Sequence, residues 1–432
     1  MGKSSGRAER HDEFNGRLKA LHPAGGLAAR ARGVRRSGPA EPESRPSRQL
    51  RVLHVAESIK GGVGTYLAEL VPLQIATLGQ AQIRVVIPEE HKEQVARLPN
   101  ACIATFSRPD RNTKSILSLM YVLQREVRNF KPDIIHAHSS FAGFAARLLF
   151  GWRRGRMKII YTPHGWSFAR GLPGDLPELY RAVEASLVGL CDRIVAVSEH
   201  EAQLAREIGV GSGKLSIVFN GIAQSAPQTI DYVWDDPRLK VLYIGRLDYA
   251  KGYDILRTAL DEVGDKVSFR TAGESVVNDD LSGLSVAREE FLGWLSPPEL
   301  AGVLRASDVV VIPSRSEAFG LVAIEAMRAG KMVVATRVGG LPEVVEDGVT
   351  GVLVPLEDPA AFRDILLRLT PQEAAVMGQR GRERFLANFS IENTDSMMRR
   401  IYDDLVAARR QAGIRPGPSG LQPVTGNKLR LP

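Results

Sequence analysis

Short apolar runs recur along this chain and alternate with stretches of helical periodicity. The first run, Leu50 to Ala56, is followed by a glycine-rich turn and by a helical stretch over Thr65 to Leu78. The later runs in this half cover residues 83–87, 134–136, 159–161 and 194–197, with helical stretches over 114–130 and 178–190. Strands separated by helices run in the same direction, so the pattern predicts a parallel sheet covered on both faces.

The same pattern restarts after a polar, proline-containing stretch over residues 224–237, which we interpret as a hinge. Its strands are predicted at Val241 to Ile244, Val267 to Thr271, Val309 to Ile312 and Met332 to Ala335, with helices from Tyr253, over 297–305, and from Gly320 to Ala329. The sequence therefore predicts an α/β chain of two Rossmann-like domains, 49–225 and 236–390, which face each other across a cleft. Such sheets bind ligands at the carboxyl ends of their strands.

The distribution of charge argues against a nucleic-acid-binding protein. The formal net charge is +8, but the first 48 residues carry 11 basic and five acidic side chains, and the last 22 carry three basic ones and no acid. The body between these tails is close to neutral, so we expect a basic disordered leader (1–48) and a flexible tail (411–432). The two cysteines, Cys102 and Cys191, are far apart and lack metal-ligand spacing, which is typical of a cytosolic protein.

The stretch from Ser314 to Glu325 is the strongest candidate for a binding site. A strand ends at Ile312, a loop carries Glu317, and a helix begins near Gly320. The free N–H groups at a helix start favour a phosphate. Glu325 lies about two turns along, roughly 80° round the axis, so one carboxylate can face a sugar while the other accepts hydrogen bonds from a ribose. An acidic helix cap with a surface glutamate remains the structural alternative.

Cations and glycines follow the first strand of each half. Arg246 and Lys251 lie after Ile244, where they can converge on a diphosphate or simply extend from a solvated loop. Gly61 and Gly62 follow the first strand of the chain, but the third glycine of the dinucleotide fingerprint is replaced by Leu67. They form either a turn that approaches a ligand or a purely structural turn.

Three histidines are candidates for a functional role. His136 and His138 end one strand but lack a third ligand nearby in the sequence, so we expect structural or hydrogen-bonding roles. His164 lies in a Thr-Pro-His-Gly loop, and a lone loop histidine is also compatible with a structural role.

Taken together, the motifs over residues 50–410 resemble glycosyltransferase family 4, whose members have the GT-B fold and retain anomeric configuration. The resemblance rests on the order and spacing of the E-x7-E pair Glu317 and Glu325 and of the motifs Gly61-Gly-Val-Gly, Thr162-Pro-His-Gly165, Val197-Ser-Glu, Asn220-Gly-Ile, Gly245-Arg-Leu, Lys251-Gly and Gly339-Gly-Leu-Pro-Glu343. It also implies that the helix over 391–410 crosses back onto the first domain.

The resemblance assigns roles to single residues. It implies that Glu325 binds the donor ribose, that Glu317 and His164 lie at the donor sugar, and that Arg246 and Lys251 bind the pyrophosphate. The other donor-binding positions that it implies are Gly61, Gly62, Leu292, Phe319, Gly320 and Leu321. Leu292 would hold the base, although burial in the core is the alternative for its side chain.

The expected activity is transfer of a hexose from a UDP- or GDP-sugar to a glycan or a polyprenyl-diphosphate-linked acceptor in bacterial exopolysaccharide, O-antigen or capsule synthesis. No metal cofactor is expected, because two cations can neutralise the departing diphosphate. A sugar-nucleotide epimerase and a non-catalytic sugar-nucleotide-binding protein are the alternatives.

A basic and aromatic segment bears on localisation. Phe141 to Lys158 joins an apolar stretch to a turn with Trp152, Arg153, Arg154, Arg156 and Lys158. Such an edge suits an anionic membrane surface, and a core helix followed by a solvated loop is the alternative. We therefore expect a cytoplasmic protein, and contact with the inner face of the plasma membrane is one of the two interpretations of this segment.

Overall fold

The computed structural model describes residues 49–110, 112–152, 157–169, 175–226, 230–274 and 289–413. Within these residues the chain forms two sheets whose strand pairs are all parallel. This confirms the predicted α/β architecture of two Rossmann-like units. The predicted leader, most of the predicted tail, and Arg153, Arg154 and Arg156 lie outside the described residues.

The first sheet has the order β3-β2-β1-β4-β5-β6-β7. Its strands are β1 (Val52–Ala56), β2 (Ile83–Pro88), β3 (Ile103–Phe106), β4 (Ile134–His138), β5 (Lys158–Thr162), β6 (Arg193–Ala196) and β7 (Leu215–Ile217). The helices of this half are α1 (Gly62–Leu78), α2 (Thr113–Phe130), α3 (Ser140–Phe150), α4 (Leu176–Leu187) and α5 (Glu199–Glu207). Every residue of β1 and β4 is buried, as expected for central strands covered on both faces.

The second sheet has the order β10-β9-β8-β11-β12-β13. Its strands are β8 (Leu239–Ile244), β9 (Val267–Ala272), β10 (Glu290–Gly293), β11 (Val309–Ile312), β12 (Met332–Thr336) and β13 (Gly351–Val354). Its helices are α6 (Tyr253–Val263), α7 (Pro297–Ala306), α8 (Leu321–Arg328), α9 (Leu341–Val344), α10 (Pro359–Arg368) and α11 (Pro371–Asn388), followed by α12 (Ile391–Gly413). In each sheet the strand order reverses between two central strands, β1 and β4 in one and β8 and β11 in the other, and open α/β sheets bind ligands beside such a point.

Helix α11 has no counterpart in the sequence prediction, because Gly378 and Gly381 interrupt its periodicity. A Cβ atom at Gly378 would overlap the carbonyl oxygen of Gly330, so glycine there allows α11 to pack closely against the end of α8. The short strands β3, β7, β10 and β13 were also absent from the sequence prediction. Strands of three or four residues at or near a sheet edge give little periodic signal.

The chain passes between the two halves twice, and the two crossings are hydrogen-bonded to each other. The Ile222 N–H donates to the Phe389 carbonyl (3.1 Å), and the Ile391 N–H donates to the Ile222 carbonyl (3.0 Å). Beyond this crossing, α12 packs on the first sheet, where Met398 and Tyr402 share a core with residues of α1. The end of the chain's described part therefore helps to cover the first sheet.

Candidate functional site

Two loops of the second sheet meet where β8 and β11 end. These strands are neighbours, so the loops that follow them leave the same edge. The Arg315 N–H donates to the Ala250 carbonyl (2.9 Å), which ties the loops together. Gly252 has φ +65°, and a Cβ atom there would overlap the carbonyl oxygen of Pro313. Glycine at this position therefore allows the two loops to lie in contact.

Lys251 and Glu317 form an ion pair across these loops. The Lys251 Nζ lies 2.6 Å from Glu317 Oε2, and both side chains are partly exposed. Asp248, which is buried, accepts a hydrogen bond from the Lys251 N–H (2.9 Å) and also pairs with Arg246 (2.9 Å). The carboxyl ends of β8 and β11 thus bring together the three charged residues that the sequence predicted, Arg246, Lys251 and Glu317.

The Glu317 backbone is held by two glycines. The Gly340 N–H donates to the Glu317 carbonyl (3.0 Å). Gly339 has φ +54°, and a Cβ atom there would overlap the same carbonyl oxygen. The Gly339-Gly340 pair therefore lets the loop after β12 lie directly against the loop that carries Glu317.

Helix α8 begins after Gly320, which has φ +109°. Glu325 lies on this helix near Arg328, and burial together with the nearby Glu69 raises its pKa to about 7, although the charge of Arg328 opposes that shift. Part of the Glu325 surface remains accessible to solvent. A carboxyl group with this pKa loses its proton near neutral pH, and the resulting carboxylate can accept a hydrogen bond from a hydroxyl group.

The predicted donor-binding side chains differ in how far they face open space. Phe319 is buried, and its ring lies 5.8 Å from the ring of Phe219 and 5.7 Å from that of Phe389, so only its main chain can face a ligand. Leu292 lies on strand β10 and packs half-buried against the same core. That packing matches the core alternative for its side chain, so a role at the base is not required to explain it.

The glycine turn of the first half approaches the start of α8. A Cβ atom at Gly62 would lie 3.0 Å from Leu321 Cδ1, and Gly61 has φ +84°. The structure therefore brings Gly61 and Gly62 to the same place as Gly320 and Leu321, although these pairs are far apart in the sequence.

The His164 loop touches the Glu317 loop at a neighbouring point. The Ser316 hydroxyl donates to the Ala169 carbonyl (3.3 Å). The loop between β6 and α5 contacts the same segment, because the Ser198 hydroxyl donates to the Ala318 carbonyl (2.8 Å). His164 itself has φ +53° and lies edge-on to Tyr66, with ring centroids 4.8 Å apart. A non-glycine residue in this region is strained, and such strain concentrates at functional sites.

Glu343 joins the two halves through a helix end. Its carboxylate accepts hydrogen bonds from the N–H groups of Glu199 (2.7 Å) and His200 (2.9 Å). These N–H groups lie in the first turn of α5, where they have no partner within the helix and where a negative charge is favoured. The Val197-Ser-Glu and Gly339-Gly-Leu-Pro-Glu motifs, which the sequence showed separately, are therefore parts of one contact.

His54, which the sequence patterns did not single out, completes a buried histidine cluster. His54, His136 and His138 have ligand nitrogens within 4.8 Å of one another, a spacing that can hold a metal ion. Both ring nitrogens of each histidine already have protein hydrogen-bond partners. The cluster is thus arranged as a hydrogen-bond network, in line with the expected role of His136 and His138. His54 lies within the apolar run that forms β1, so the sequence pattern provided no signal for it. Its histidine partner, His138, becomes apparent only because β4 lies beside β1.

Comparison with known proteins identifies the family. Residues 60–225 match the model of "Glycosyltransferase Family 4", and residues 238–371 match that of "Glycosyl transferases group 1". The chain is 31% identical to a D-inositol 3-phosphate glycosyltransferase of Acidothermus cellulolyticus over 310 residues, which cover 65% of this chain and 69% of that protein. The chain belongs to glycosyltransferase family 4.

This family 4 glycosyltransferase is also 33% identical to an uncharacterized 41.2 kDa protein in the cps region of Klebsiella pneumoniae, over 73% of this chain and 89% of that protein. Its fold is similar to that of a sucrose-phosphate synthase from Thermosynechococcus elongatus (TM-score 0.67, 21% identity, covering 83% of this chain and all of the other). It is equally similar to Anabaena HepE in complex with UDP and glucose (TM-score 0.67, 19% identity, covering 82% and all of the two chains). These likenesses confirm the GT-B fold.

The surface of this glycosyltransferase near the predicted membrane edge has large exposed side chains. Trp152 is 76% exposed and Leu148, on α3, is 41% exposed. The inward side of α3 is buried, as the predicted core helix requires. Among the described residues no helix is both long and apolar enough to cross a membrane.

Proposed function

We propose that this glycosyltransferase transfers a hexose from a nucleotide diphosphate sugar, with retention of configuration, to a glycan or lipid-linked acceptor. The observation that carries the proposal is the group formed by Arg246, Lys251 and Glu317 where β8 and β11 end. A carboxylate beside two cations suits a ligand that has hydroxyl groups next to a diphosphate.

The cations would bind the donor pyrophosphate. Lys251 is neutralised by Glu317 and Arg246 by Asp248, so an incoming diphosphate would exchange one set of anionic partners for another. No metal ion is needed for this neutralisation, because two cations and the N–H groups at the start of α8 offer the same kind of charge. Transfer that persists in the presence of EDTA would support a metal-independent site.

Glu325 would accept hydrogen bonds from the donor ribose, and Glu317 and His164 would contact the donor sugar. The proximity of Gly62 to Leu321 supports a donor held between the two halves. Closure of the halves over the donor would exclude water and limit hydrolysis.

Retention would follow from attack on the same face from which the leaving group departs. The bond from the anomeric carbon to the acceptor oxygen forms as the bond to the diphosphate oxygen breaks. The acceptor proton passes to the departing phosphate, so the products are a glycoside and a nucleoside diphosphate. Arg246 and Lys251 would stabilise the negative charge that develops on the diphosphate.

A capsule or other surface polysaccharide is the proposed destination of the sugar. The 33% identity to a protein in the Klebsiella cps region supports this pathway, and the similarity to D-inositol 3-phosphate glycosyltransferases favours an acceptor that carries phosphate. Uracil is the proposed donor base, because a protein of the same fold was solved with UDP and glucose. A cytoplasmic location, with contact at the inner face of the membrane through Trp152, completes the proposal; sedimentation of the W152S variant with anionic vesicles would test that contact.

A two-stage experiment tests the proposed reaction. Thermal shifts with UDP-, GDP- and ADP-sugars should show stabilisation by one base class. Release of the nucleoside diphosphate is then followed with and without candidate acceptors, and the anomeric configuration of the product is read by NMR. Inversion, or unchanged transfer by Glu317→Ala, would overturn the proposed mechanism. An isomerised sugar nucleotide formed without acceptor would favour the epimerase, and binding without turnover would favour a non-catalytic protein.

A further inference from the structure

A chain of hydrogen bonds runs from a buried glutamine to His164. Gln74 Oε1 lies 2.8 Å from His54 Nε2, and His54 Nδ1 lies 3.0 Å from His138 Nε2. His138 Nδ1 in turn lies 3.0 Å from His164 Nε2. Gln74, His54 and His138 are completely buried, and His164 is half-buried. This chain of hydrogen bonds therefore connects the interior of the first half to the candidate site.

Burial keeps the imidazole rings of His54 and His138 neutral. It lowers the pKa of His54 to about 4 and the pKa of His138 well below its usual value. A neutral imidazole has one N–H donor and one acceptor nitrogen, so each ring in the chain must donate in one direction and accept from the other. The direction of the whole chain is then set by whichever end has a fixed polarity.

Gln74 gives this series of hydrogen bonds its polarity, because its amide is oriented with Oε1 toward His54 and Nε2 toward the Tyr402 hydroxyl. Its amide oxygen can only accept, so His54 donates through Nε2 and accepts through Nδ1. The amide nitrogen donates in the opposite direction, to the Tyr402 hydroxyl at 3.5 Å. That hydroxyl lies 2.8 Å from His136 Nδ1, to which it can donate a hydrogen bond. The amide oxygen and the amide nitrogen of Gln74 therefore each begin a separate chain of hydrogen bonds.

Both chains are consistent with this assignment. His136 Nε2 is left to donate to the Thr162 hydroxyl at 2.8 Å. Along the other chain His138 donates to His54 through Nε2, and His164 donates to His138 through Nε2. Reversing the amide of Gln74 would reverse every one of these bonds.

We propose that Gln74, acting through His54 and His138, holds His164 in the tautomer that carries its proton on Nε2, so that Nδ1 is a hydrogen-bond acceptor suited to a substrate hydroxyl. Gln74, His54 and His138 are positioning residues, comparable to the outer groups that fix the tautomer of a functional histidine. The consequence for sugar transfer rests on the proposed function of His164, whereas the tautomer does not.

The experiment measures the tautomers directly. The full chain is labelled with ¹⁵N-histidine, and the proton-bearing nitrogen of each ring is identified from long-range ¹H–¹⁵N correlations, assigned with single His→Gln variants. The proposal predicts that His54, His136, His138 and His164 all carry the proton on Nε2. A proton on Nδ1 of His164 in the unsubstituted protein would overturn it, without reference to any variant or activity.

Variants of Gln74 then test the cause. Gln74→Glu places a carboxylate beside His54, which favours a doubly protonated ring that donates to His138 and moves the His164 proton to Nδ1. Gln74→Met removes the polarity, so His164 should populate both tautomers. The matched control is Gln203→Glu, an exposed position on α5, which should leave all four rings unchanged. An unaltered His164 tautomer in folded Gln74→Glu protein would contradict the proposal.

Transfer assays separate this inference from the proposed function. With the Nδ1 proton, His164 would no longer accept from a hydroxyl, and kcat should fall about 10- to 100-fold with little change in donor KM. A changed tautomer with unchanged kcat would support control by Gln74 and would count against the proposed role of His164.

Discussion

The Lys251 ammonium lies 2.6 Å from the Glu317 carboxylate, although the two residues follow different strands. They meet because β8 and β11 are neighbours whose carboxyl ends share one edge. The pair joins the cation proposed for the diphosphate to the carboxylate proposed for the sugar. Its two members should therefore respond differently to substitution.

Glu317→Gln should lower sugar transfer about 100-fold, because a positioned charge that acts on the transition state is lost. Affinity for the nucleoside diphosphate alone should stay the same or rise a few-fold, because Lys251 loses its anionic partner. Steady-state transfer and calorimetric UDP titration measure the two effects. Glu262→Gln, a surface carboxylate paired with Arg363, is the control. Weaker UDP binding with normal transfer would contradict this assignment.

Glu325 should make donor binding dependent on pH. Its pKa is raised to about 7, so the carboxylate needed to accept from a ribose forms as the pH rises through 7. Donor affinity should therefore be greater at pH 8 than at pH 6, and Glu325→Gln should weaken binding and flatten this dependence. Titrations of both proteins at the two pH values measure it, and a parallel pH dependence in the variant would assign the effect to another group.

The same raised pKa predicts that Glu325 costs stability. Between pH 4.5 and 7 the unfolded chain loses the proton that the folded chain keeps, so stability falls as the pH rises through this range. Glu325→Gln should therefore raise the melting temperature by roughly 2–4 °C at pH 8, with the gain shrinking toward pH 4.5. Melting curves across this range measure it; a gain independent of pH would point to packing instead.

Gly339 should be essential for the position of Glu317. Gly339→Ala introduces both an unfavourable backbone conformation, costing roughly 1–2 kcal/mol, and an overlap with the Glu317 carbonyl. Gly348→Ala is the matched control, since Gly348 also has positive φ (+73°) but has open space around it. Urea unfolding should show a larger loss for Gly339→Ala, and only that variant should lose transfer. Equal losses would mean that the contact with Glu317 is unimportant.

Glu343 should stabilise the contact between the halves. Glu343→Gln replaces a charged acceptor at the start of α5 and should cost about 1 kcal/mol. Hydrogen exchange at the Glu199 and His200 amides should increase, and Glu346→Gln, which loses only a partner of Arg384, should leave these amides protected. Unchanged exchange in Glu343→Gln would show that water replaces the carboxylate without loss.

Much of the fold could be predicted from local patterns. Strands such as β11, Val309–Ile312, are continuous apolar runs because both faces of a parallel sheet are covered. Helix α11 could not be found in this way, since its glycines weaken the local signal and are explained only by contact with a distant backbone. Domain boundaries and the individual roles of the site residues remain predictions.

The sequence by itself determined the alternation of the longer strands and helices and the motifs that resemble family 4, because hydrophobic period and glycine position are local properties. Only the tertiary structure decided which motifs meet. It paired Lys251 with Glu317, buried the ring of Phe319, brought Gly62 against Leu321, and aligned His54 with His138 and His164. Such relationships depend on which strands are neighbours and how the two halves pack, and residues far apart in the sequence leave no local pattern that predicts their contact.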